Sequence, residues 1–350
     1  MKVVIRADSS IVIGSGHIMR CMTLADQLVE QGAEVRFICA DLLGAMFDLI
    51  EARGYLYERL DQTIDGSEAD AAATKSVIQK YYPAGLDWLI VDHYQLDASW
   101  ESHLRPFVSR LMVIDDLANR RHDCDLLLDQ NYYRNFTERY DGLVSESAVL
   151  LLGPEYALLR PEFYRAKNEM RPRNGKVNRI LVFFGGSDPS HQTECALQAI
   201  ERLDRPGLQV DVVVGSSNPN QQAIREYCDA RNGVNYHCQV SNMAEFIAAA
   251  DLAIGAGGAT TWERCILGLP CLTVVLADNQ LVAAEDVAAT GATICLGWAL
   301  DKSIDRYFDA ISAVIDDQEQ LKKMSDASRA LVDVHEGAVS SRMVEMGLPV

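Results

Sequence analysis

The chain has 350 residues, which suits two domains of usual size better than one hydrophobic core. Hydrophobic residues make up 49 % of it and charged residues 23 %, a composition typical of folded globular proteins. Acidic side chains outnumber basic ones by 50 to 32 and give a formal net charge of −18, which argues against general nucleic-acid binding. A small anionic ligand stays compatible with this charge, because backbone N–H groups can hold phosphate locally.

Cysteine usage and the N-terminal sequence both favour a cytoplasmic location. The nine cysteines are an odd number and form no C-x-x-C pair, and several, such as Cys39 and Cys271, lie in apolar runs. We therefore expect reduced, mostly buried thiols. Arg6 and Asp8 stand where a signal peptide needs an unbroken apolar stretch. No apolar run reaches about 18 residues, so no membrane insertion is expected. The oligomeric state stays open.

Short β-branched runs alternate with helical patterns along the whole chain. Strands are predicted over 3–6, 35–39, 88–91, 111–114, 126–128, 179–184, 210–214, 252–254 and 271–275. Helices are predicted over 18–29, 43–53, 69–81, 192–203, 221–231, 243–249 and 261–267. This alternation indicates parallel sheets with helices on both faces.

A polar segment over 164–179, which contains Pro172 and Gly175, predicts a domain boundary. We therefore predict an α/β protein of two doubly wound parallel-sheet (Rossmann-like) domains, 1–170 and 177–350, facing each other across a cleft. Ligands of such sheets bind beyond the carboxyl ends of the strands.

The loop "GSGHIMR" follows the first predicted strand and opens a helix. A dinucleotide fingerprint would need a third glycine where Met19 stands, so that kind of site is disfavoured. Gly14 and Gly16 let the backbone approach a ligand closely. His17 falls in the first helical turn, whose positive end disfavours a protonated imidazole, so we expect it to accept a proton near pH 7. A purely structural histidine fits the spacing equally well.

Acidic and aromatic side chains follow two more predicted strands. Asp92 and Tyr94, in "VDHYQLD", fall at a strand's carboxyl end, on the same edge as His17. The alternative is an aspartate that caps a helix beside a histidine. Asp115 and Asp116 follow the next strand. Hydrogen bonding or capping is favoured there over metal binding, because no further ligands at metal spacing surround them.

Two glycine turns in the second half follow strands and precede helices. "FFGGSDPS" offers Ser187 or Asp188 as a cap, and its exposed N–H groups can hold a diphosphate. "AIGAGGATTWE" places Glu263 on the first turns of a helix. Its carboxylate can accept hydrogen bonds from both hydroxyls of a ribose. The alternative is an acidic residue that merely suits a helix N-terminus.

Five motifs in one order carry a family resemblance: "GSGHIMRCMTLADQL", "VDHYQLD", "GPEYALLRPEF", "FFGGSDPS" and "AIGAGGATTWE". With them, nearly the whole chain resembles the UDP-2,4-diacetamido-2,4,6-trideoxy-β-L-altropyranose hydrolases of pseudaminic acid biosynthesis. The first and last motifs are shared, more loosely, with the glycosyltransferase family that makes lipid II. Both groups have the two-domain GT-B architecture, which agrees with the two predicted sheets.

The resemblance implies that the N-terminal domain binds the sugar and that the C-terminal domain binds UDP. It implies that His17 is the catalytic base and that Tyr94 supports catalysis. No cofactor and no metal ion are implied. Together with the residues singled out above, it gives these substrate-binding candidates: Gly14, Gly16, Asp92, Gly185, Gly186, Ser187, Met243, Gly258, Ala259, Thr260, Glu263, Asn279 and Gln280.

The resemblance also assigns parts of the nucleotide to particular segments. Residues 185–187 and the loop 257–260 would lie near the diphosphate, and Glu263 would bind the ribose diol. Backbone groups of 241–243 would meet the uracil, and residues 279–280 would approach the diphosphate or the sugar. Three further residues are candidates for contacts with the acetamido groups, without individual assignment: Tyr156, Leu159 and Arg160.

Three functions are weighed for these residues. The first is a metal-independent hydrolase in which His17 helps water attack the anomeric carbon of the UDP-sugar, releasing UDP and free 2,4-diacetamido-2,4,6-trideoxy-L-altrose. The second is a UDP-sugar-dependent glycosyltransferase of the GT-B fold, which would need an acceptor site. The third is a UDP-sugar sensor without turnover, which would not need His17. The hydrolase accounts for most of the motifs.

Overall fold

The computed structural model describes residues 1–61, 66–170, 172–299 and 304–347. These residues form two compact units, each built on one parallel sheet. Unit 1 contains residues 1–131, 135–158 and the described residues from His335 onward, and unit 2 contains 132–134 and 159–334.

Strands and α-helices alternate along most of the chain as predicted. The strands are β1 (Lys2–Ala7), β2 (Glu34–Ala40), β3 (Leu56–Leu60), β4 (Leu86–Asp92), β5 (Val108–Ile114), β6 (Leu126–Asp129), β7 (Val149–Leu152), β8 (Arg179–Phe183), β9 (Gln209–Val214), β10 (Val234–Cys238), β11 (Leu252–Ala256), β12 (Cys271–Val275) and β13 (Thr293–Trp298). The helices are α1 (Gly16–Glu30), α2 (Phe47–Ala52), α3 (Ser67–Tyr81), α4 (Ala98–Leu104), α5 (Pro161–Glu169), α6 (Gln192–Arg202), α7 (Gln221–Asp229), α8 (Met243–Ala249), α9 (Thr260–Ile266), α10 (Leu281–Ala289), α11 (Ile304–Val314), α12 (Gln318–Leu331) and α13 (Ala338–Gly347). Within the described residues 108–152, β5, β6 and β7 follow one another without an α-helix between them.

Both sheets are doubly wound. Among the described residues, unit 1 has the strand order β3-β2-β1-β4-β5-β6-β7, and unit 2 has the order β10-β9-β8-β11-β12-β13. The order reverses between β1 and β4 in one sheet and between β8 and β11 in the other, and both pairs are parallel. Ligands bind at such reversal points, beyond the carboxyl ends of the strands. The prediction of two Rossmann-like sheets is confirmed.

Continuous apolar runs build the central strands. Val3, Val4 and Ile5 of β1 are fully buried, as expected where helices cover both faces of a parallel sheet. On α1, Ile18 and Cys21 are buried one turn apart. This spacing gives the helix an apolar stripe toward the sheet. The stripe fixes which way the first turn of α1 points, and that turn carries His17.

The sequence predicted every central strand, but it missed β3, β7, β10 and β13. Those four strands are the outer edges of the two sheets. Edge strands pack on fewer neighbours and keep polar residues, as "LYERL" in β3 and "VNYHC" in β10 show. The hydrophobic signal of β3 and β10 is weak for that reason.

One predicted helix is shorter than expected. The pattern over 43–53 folds as a helix only from Phe47 to Ala52. The segment before it is held instead by residues 8–15 between β1 and α1, here called the first glycine loop. Ile11 N–H donates to Leu43 O and Met46 N–H donates to Ser9 Oγ, both at 3.0 Å.

The compact units divide the chain differently from the predicted domain ranges of 1–170 and 177–350. Helix α5 falls in unit 2, where it packs against α8 and α9. In the predicted linker, the Arg173 guanidinium donates to the carbonyl oxygens of Ile247, Ala250 and Leu267. Helix α13 returns to unit 1 and packs against α1. Among the described helices, none has the length and apolar character needed to cross a bilayer.

Candidate functional site

His17 lies at the reversal point of the first sheet and is paired with Asp92. It occupies the first turn of α1, and Asp92 is the last residue of β4. His17 Nδ1 lies 2.5 Å from Asp92 Oδ1. Both residues are buried, with 7 % of His17 exposed. The prediction that they share one edge of the sheet agrees with this geometry.

Arg20 holds the other side of the Asp92 carboxylate. Its Nε donates to Asp92 Oδ2 and its Nη2 donates to Asp92 Oδ1, each at 2.6 Å. Its Nη1 donates to Asp116 Oδ2 at 3.0 Å. Burial raises the pKa of Asp92, but the charge of Arg20 and the hydrogen bonds from Arg20 and His17 outweigh it and hold that pKa well below its usual range. Asp92 is therefore an anion buried in the protein.

An ionised carboxylate can only accept hydrogen bonds, so His17 Nδ1 must carry the proton that it shares with Asp92. This tautomer leaves Nε2 as the basic nitrogen. The helix-capping alternative for Asp92 does not hold, because the residue that caps α4 is Asp97. Its side chain accepts from the N–H groups of Ser99 and Trp100.

Tyr94 completes this cluster in unit 1. Its ring meets the His17 ring edge-on, with centroids 4.6 Å apart and planes at 78°. Burial, and after it the Asp116 carboxylate, raise the pKa of the Tyr94 hydroxyl well above its usual range. The hydroxyl therefore stays protonated, and its hydrogen bond goes to the Asp116 carboxylate. Arg20 was not assigned from the sequence, although its i+3 spacing from His17 places both on one helix face.

A second histidine–carboxylate pair lies beside the first. Ala7 pairs with Asp92 in the sheet register, so Asp8 and His93 follow on the same edge. His93 Nε2 lies 3.2 Å from Asp8 Oδ2, and its Nδ1 accepts from Gln95 N–H at 3.1 Å. Both ring nitrogens of His93 are thus engaged by the protein. This pair fits a structural role better than a basic one.

The first glycine loop uses its own N–H groups internally. The N–H groups of Val12 and Ile13 donate to Ser10 Oγ at 3.2 and 2.9 Å, and Gly14 N–H donates to Ser10 O at 2.8 Å. Gly14 has φ +82°, a conformation that favours glycine. Gly16 begins α1 with open space where a Cβ would stand. These N–H groups are therefore not presented to a phosphate.

Asp129, at the end of β6, is another buried carboxylate on this edge of unit 1. Its Oδ1 accepts from Asn131 N–H at 3.0 Å, and its Oδ2 accepts from the Tyr140 hydroxyl at 3.1 Å. Burial outweighs these hydrogen bonds and the nearby Arg139, and it raises the pKa of Asp129 from 3.8 to about 7.

This raised pKa predicts that the free energy of unfolding falls as the pH rises. Between about pH 4 and about pH 7 the folded protein keeps a proton on Asp129 that the unfolded chain has released. Across this window the free energy of unfolding therefore decreases by about 1.4 kcal/mol per pH unit. The stabilisation is complete below that window and lost above it. Urea unfolding of the wild type and Asp129→Asn at several pH values measures the difference. The wild type should lose stability relative to the variant across the window, and parallel pH slopes would contradict this.

In unit 2, the turn after β8 brings two loops into close contact. Gly185 has φ +90°, and a Cβ added to Gly215 would lie 2.3 Å from Gly186 O. Of the two candidate caps, Asp188 contacts the start of α6. It accepts from Gln192 N–H at 3.0 Å and from Thr193 N–H at 2.8 Å. Ser187 lies half-buried within the turn itself. Gly215 is a close-approach glycine that the sequence analysis missed.

The turn after β11 packs against the segment that follows β12. A Cβ added to Gly258 would lie 3.8 Å from Gln280 Nε2. Gln280 Oε1 accepts from Leu276 N–H at 3.0 Å, which orients its amide and leaves Nε2 as a donor. Asn279 is exposed in the same 3₁₀ turn, and Ala259 is exposed just before α9. The structure thus brings Gly258 and Gln280 together.

Met243 and Thr260 share a cavity between β8, α8, β11 and α9. Thr260 Oγ1 accepts from Arg264 Nη1 at 3.1 Å, so the polar end of the cavity is ordered. Its other walls are apolar. The lining residues are Leu181, Phe183, Met243, Ile247, Ala253, Ile254, Thr260 and Arg264.

Glu263, on α9, is held by Arg160. The Arg160 Nη2 donates to Glu263 Oε1 at 3.2 Å. Burial is the largest influence on Glu263 and raises its pKa, and Arg160 opposes burial most strongly. The three candidates for acetamido contacts are divided between the units, because Tyr156 belongs to unit 1 while Leu159 and Arg160 belong to unit 2.

Comparisons with known proteins agree with this architecture. Residues 180–338 match the glycosyltransferase family 28 C-terminal domain. The chain is 26 % identical over 291 residues to the UDP-2,4-diacetamido-2,4,6-trideoxy-β-L-altropyranose hydrolase of Campylobacter jejuni, which covers 83 % of this chain and 97 % of that one. It is 26 % identical over 300 residues to the spore coat polysaccharide biosynthesis protein SpsG of Bacillus subtilis, covering 85 % and 84 % of the two chains.

Solved structures extend the likeness to the whole fold. The crystal structure of MurG from Acinetobacter baumannii matches 99 % of both chains with a TM-score of 0.67, at 16 % identity. The resemblance drawn from the sequence motifs is confirmed by these comparisons. The chain has the GT-B fold, its residues 180–338 match the glycosyltransferase family 28 C-terminal domain, and it is similar to the UDP-2,4-diacetamido-2,4,6-trideoxy-β-L-altropyranose hydrolase of Campylobacter jejuni.

Proposed function

We propose that the protein hydrolyses UDP-2,4-diacetamido-2,4,6-trideoxy-β-L-altropyranose to UDP and free 2,4-diacetamido-2,4,6-trideoxy-L-altrose, in pseudaminic acid biosynthesis. The observation that carries this proposal is the buried pair in which His17 Nδ1 lies 2.5 Å from Asp92 Oδ1. Such a pair fixes the tautomer of the imidazole and stabilises the imidazolium that forms when Nε2 takes a proton. The similarity to the Campylobacter jejuni hydrolase supplies the substrate.

The bond changes follow from this base. The water oxygen forms a bond to the anomeric carbon, and the water proton passes to His17 Nε2. The bond between the anomeric carbon and the β-phosphate oxygen breaks, and its electron pair leaves with UDP. Attack by water on the side opposite the leaving group inverts the anomeric carbon through an oxocarbenium-like transition state. Tyr94 supports this base by packing its ring edge-on against the His17 imidazole.

Unit 2 is proposed to hold the departing UDP. The turns over 185–187 and 257–260 offer backbone N–H groups to the diphosphate, and Gln280 Nε2 adds a side-chain donor. Glu263 binds the ribose diol, and backbone groups of residues 241–243 meet the uracil. UDP is a good leaving group because its charge spreads over two phosphates. The proposed step therefore uses neither a general acid nor a metal ion.

The alternative function is a UDP-sugar-dependent glycosyltransferase. The match to the glycosyltransferase family 28 C-terminal domain favours it, because that domain is named for transferases. In a transferase, the hydroxyl of an acceptor replaces the water, and His17 takes its proton instead. The two functions differ in what the enzyme does when no acceptor is present.

Turnover in ¹⁸O-water separates the two functions. The purified protein, the UDP-sugar and a chelator are incubated without acceptor, and the products are read by mass spectrometry. We expect label in the free sugar and none in UDP, since the proposed attack is at carbon. Label in a phosphate would place the attack at phosphorus, and no turnover without an added acceptor would favour the transferase. Turnover that occurs without the chelator and is lost when the chelator is added would contradict metal independence.

A further inference from the structure

Arg160 lies against two carboxylates in unit 2. Its Nη1 is 3.2 Å from Glu162 Oε1, and its Nη2 donates to Glu263 Oε1 at 3.2 Å. Its guanidinium carbon lies 5.1 Å from the centre of the Phe163 ring. Only 17 % of the Arg160 side chain and 17 % of the Glu263 side chain are exposed. The guanidinium is therefore fixed from three sides.

The backbone places Arg160 toward α9. Arg160 directly precedes Pro161 and is extended, with φ −68° and ψ 149°, as a residue before proline prefers. Pro161 begins α5, which packs against both α8 and α9. Residue 160 lies outside the family 28 match, which begins at residue 180, yet it reaches the glutamate on α9.

Burial and three charged groups decide the ionisation of the Glu263 carboxyl. Burial raises its pKa, Arg160 lowers it, Glu162 raises it and Arg264 lowers it. Of the two cations that lower the pKa of Glu263, Arg160 has the larger effect. Removing its charge leaves the carboxyl beside Glu162 with weaker compensation, so protonation begins at a higher pH. A protonated carboxyl accepts two hydroxyl hydrogen bonds less well than a carboxylate does.

We propose that Arg160 is a positioning residue that holds Glu263 Oε1 and so presents Oε2 and the ionised carboxylate to the ribose hydroxyls of the nucleotide. This inference rests on the UDP site of the proposed function. Arg160 acts through Glu263 and makes no contact with the nucleotide itself. Its effect must therefore depend on the ribose diol.

Titration calorimetry with two nucleotides tests this dependence in the full chain. UDP carries both ribose hydroxyls, and 2′,3′-dideoxy-UDP lacks them. Arg160→Gln should weaken UDP binding about tenfold, the loss expected for a disturbed hydrogen bond to a charged group, and leave dideoxy-UDP binding unchanged. Arg160→Lys should recover part of the loss, because it keeps the charge but not the planar fork. Arg165→Gln, an exposed change on the same helix, should bind both nucleotides like the wild type.

The pH profile gives a second readout that a loss of folding would not produce. As the pH is lowered, the UDP affinity of Arg160→Gln should begin to fall at a higher pH than that of the wild type. In the double variant, Arg160→Gln should cause no loss of UDP affinity beyond that of Glu263→Gln. An equal loss for UDP and dideoxy-UDP, or no loss, would overturn the inference while leaving the proposed function intact. A wild type that binds no UDP would overturn the proposed function and this inference with it.

Discussion

His17→Asn is expected to lower kcat by about 10²- to 10⁴-fold while the protein stays folded, the range that a positioned general base contributes. Asparagine cannot take a proton from water, so only unassisted attack remains. The fold should survive because Asp92 keeps both hydrogen bonds from Arg20 at 2.6 Å. No buried charge loses its compensation. UDP release measures the rate, and thermal unfolding monitors the fold.

A matched histidine controls for nonspecific effects. His103 is exposed on α4 of the same unit, so His103→Asn should turn over like the wild type. UDP binding should also survive in His17→Asn, because the proposed nucleotide contacts belong to unit 2. Full turnover by a folded His17→Asn would remove the base from the mechanism and leave the buried pair as a structural feature.

The sequence was informative wherever one local pattern sufficed. The turn that carries His17 follows an apolar strand and opens an amphipathic helix, so its place on the sheet edge could be predicted. Asp92 could be placed on the same edge because the carboxyl ends of parallel strands lie side by side. The edge strands β3 and β10 were missed because their half-exposed, polar sequences resemble loops.

The side-chain partners that the sequence did not predict depend on contacts between distant parts of the chain. Arg20 meets Asp116 across 96 residues, and Arg160 meets Glu263 across 103 residues. No spacing within one element encodes such pairs. Gly215 likewise matters because the backbone of Gly186 passes beside it, and that approach is set by how β8 and β9 pair. These features need the assembled sheet.

Asp92→Asn is expected to lower both activity and stability, unlike His17→Asn. The amide removes the anion that fixes the His17 tautomer, so kcat should fall by about 10²- to 10⁴-fold, as in other histidine–carboxylate pairs. It also leaves Arg20 buried with Asp116 as its remaining partner. Breaking a buried ion pair from one side costs about 3–5 kcal/mol. Denaturant unfolding should show this loss in Asp92→Asn and little change in His17→Asn.

The double variant decides whether the two residues act as one unit. If Asp92 acts on catalysis by orienting His17, the kcat of His17→Asn/Asp92→Asn should be no lower than that of His17→Asn alone, because groups that work together are not additive. The stability loss should appear in full, since it comes from Arg20. Multiplied kcat losses would mean that Asp92 contributes to the reaction apart from His17. The carboxylate would then act through the Arg20 and Asp116 network, and the mechanism would have to include those side chains.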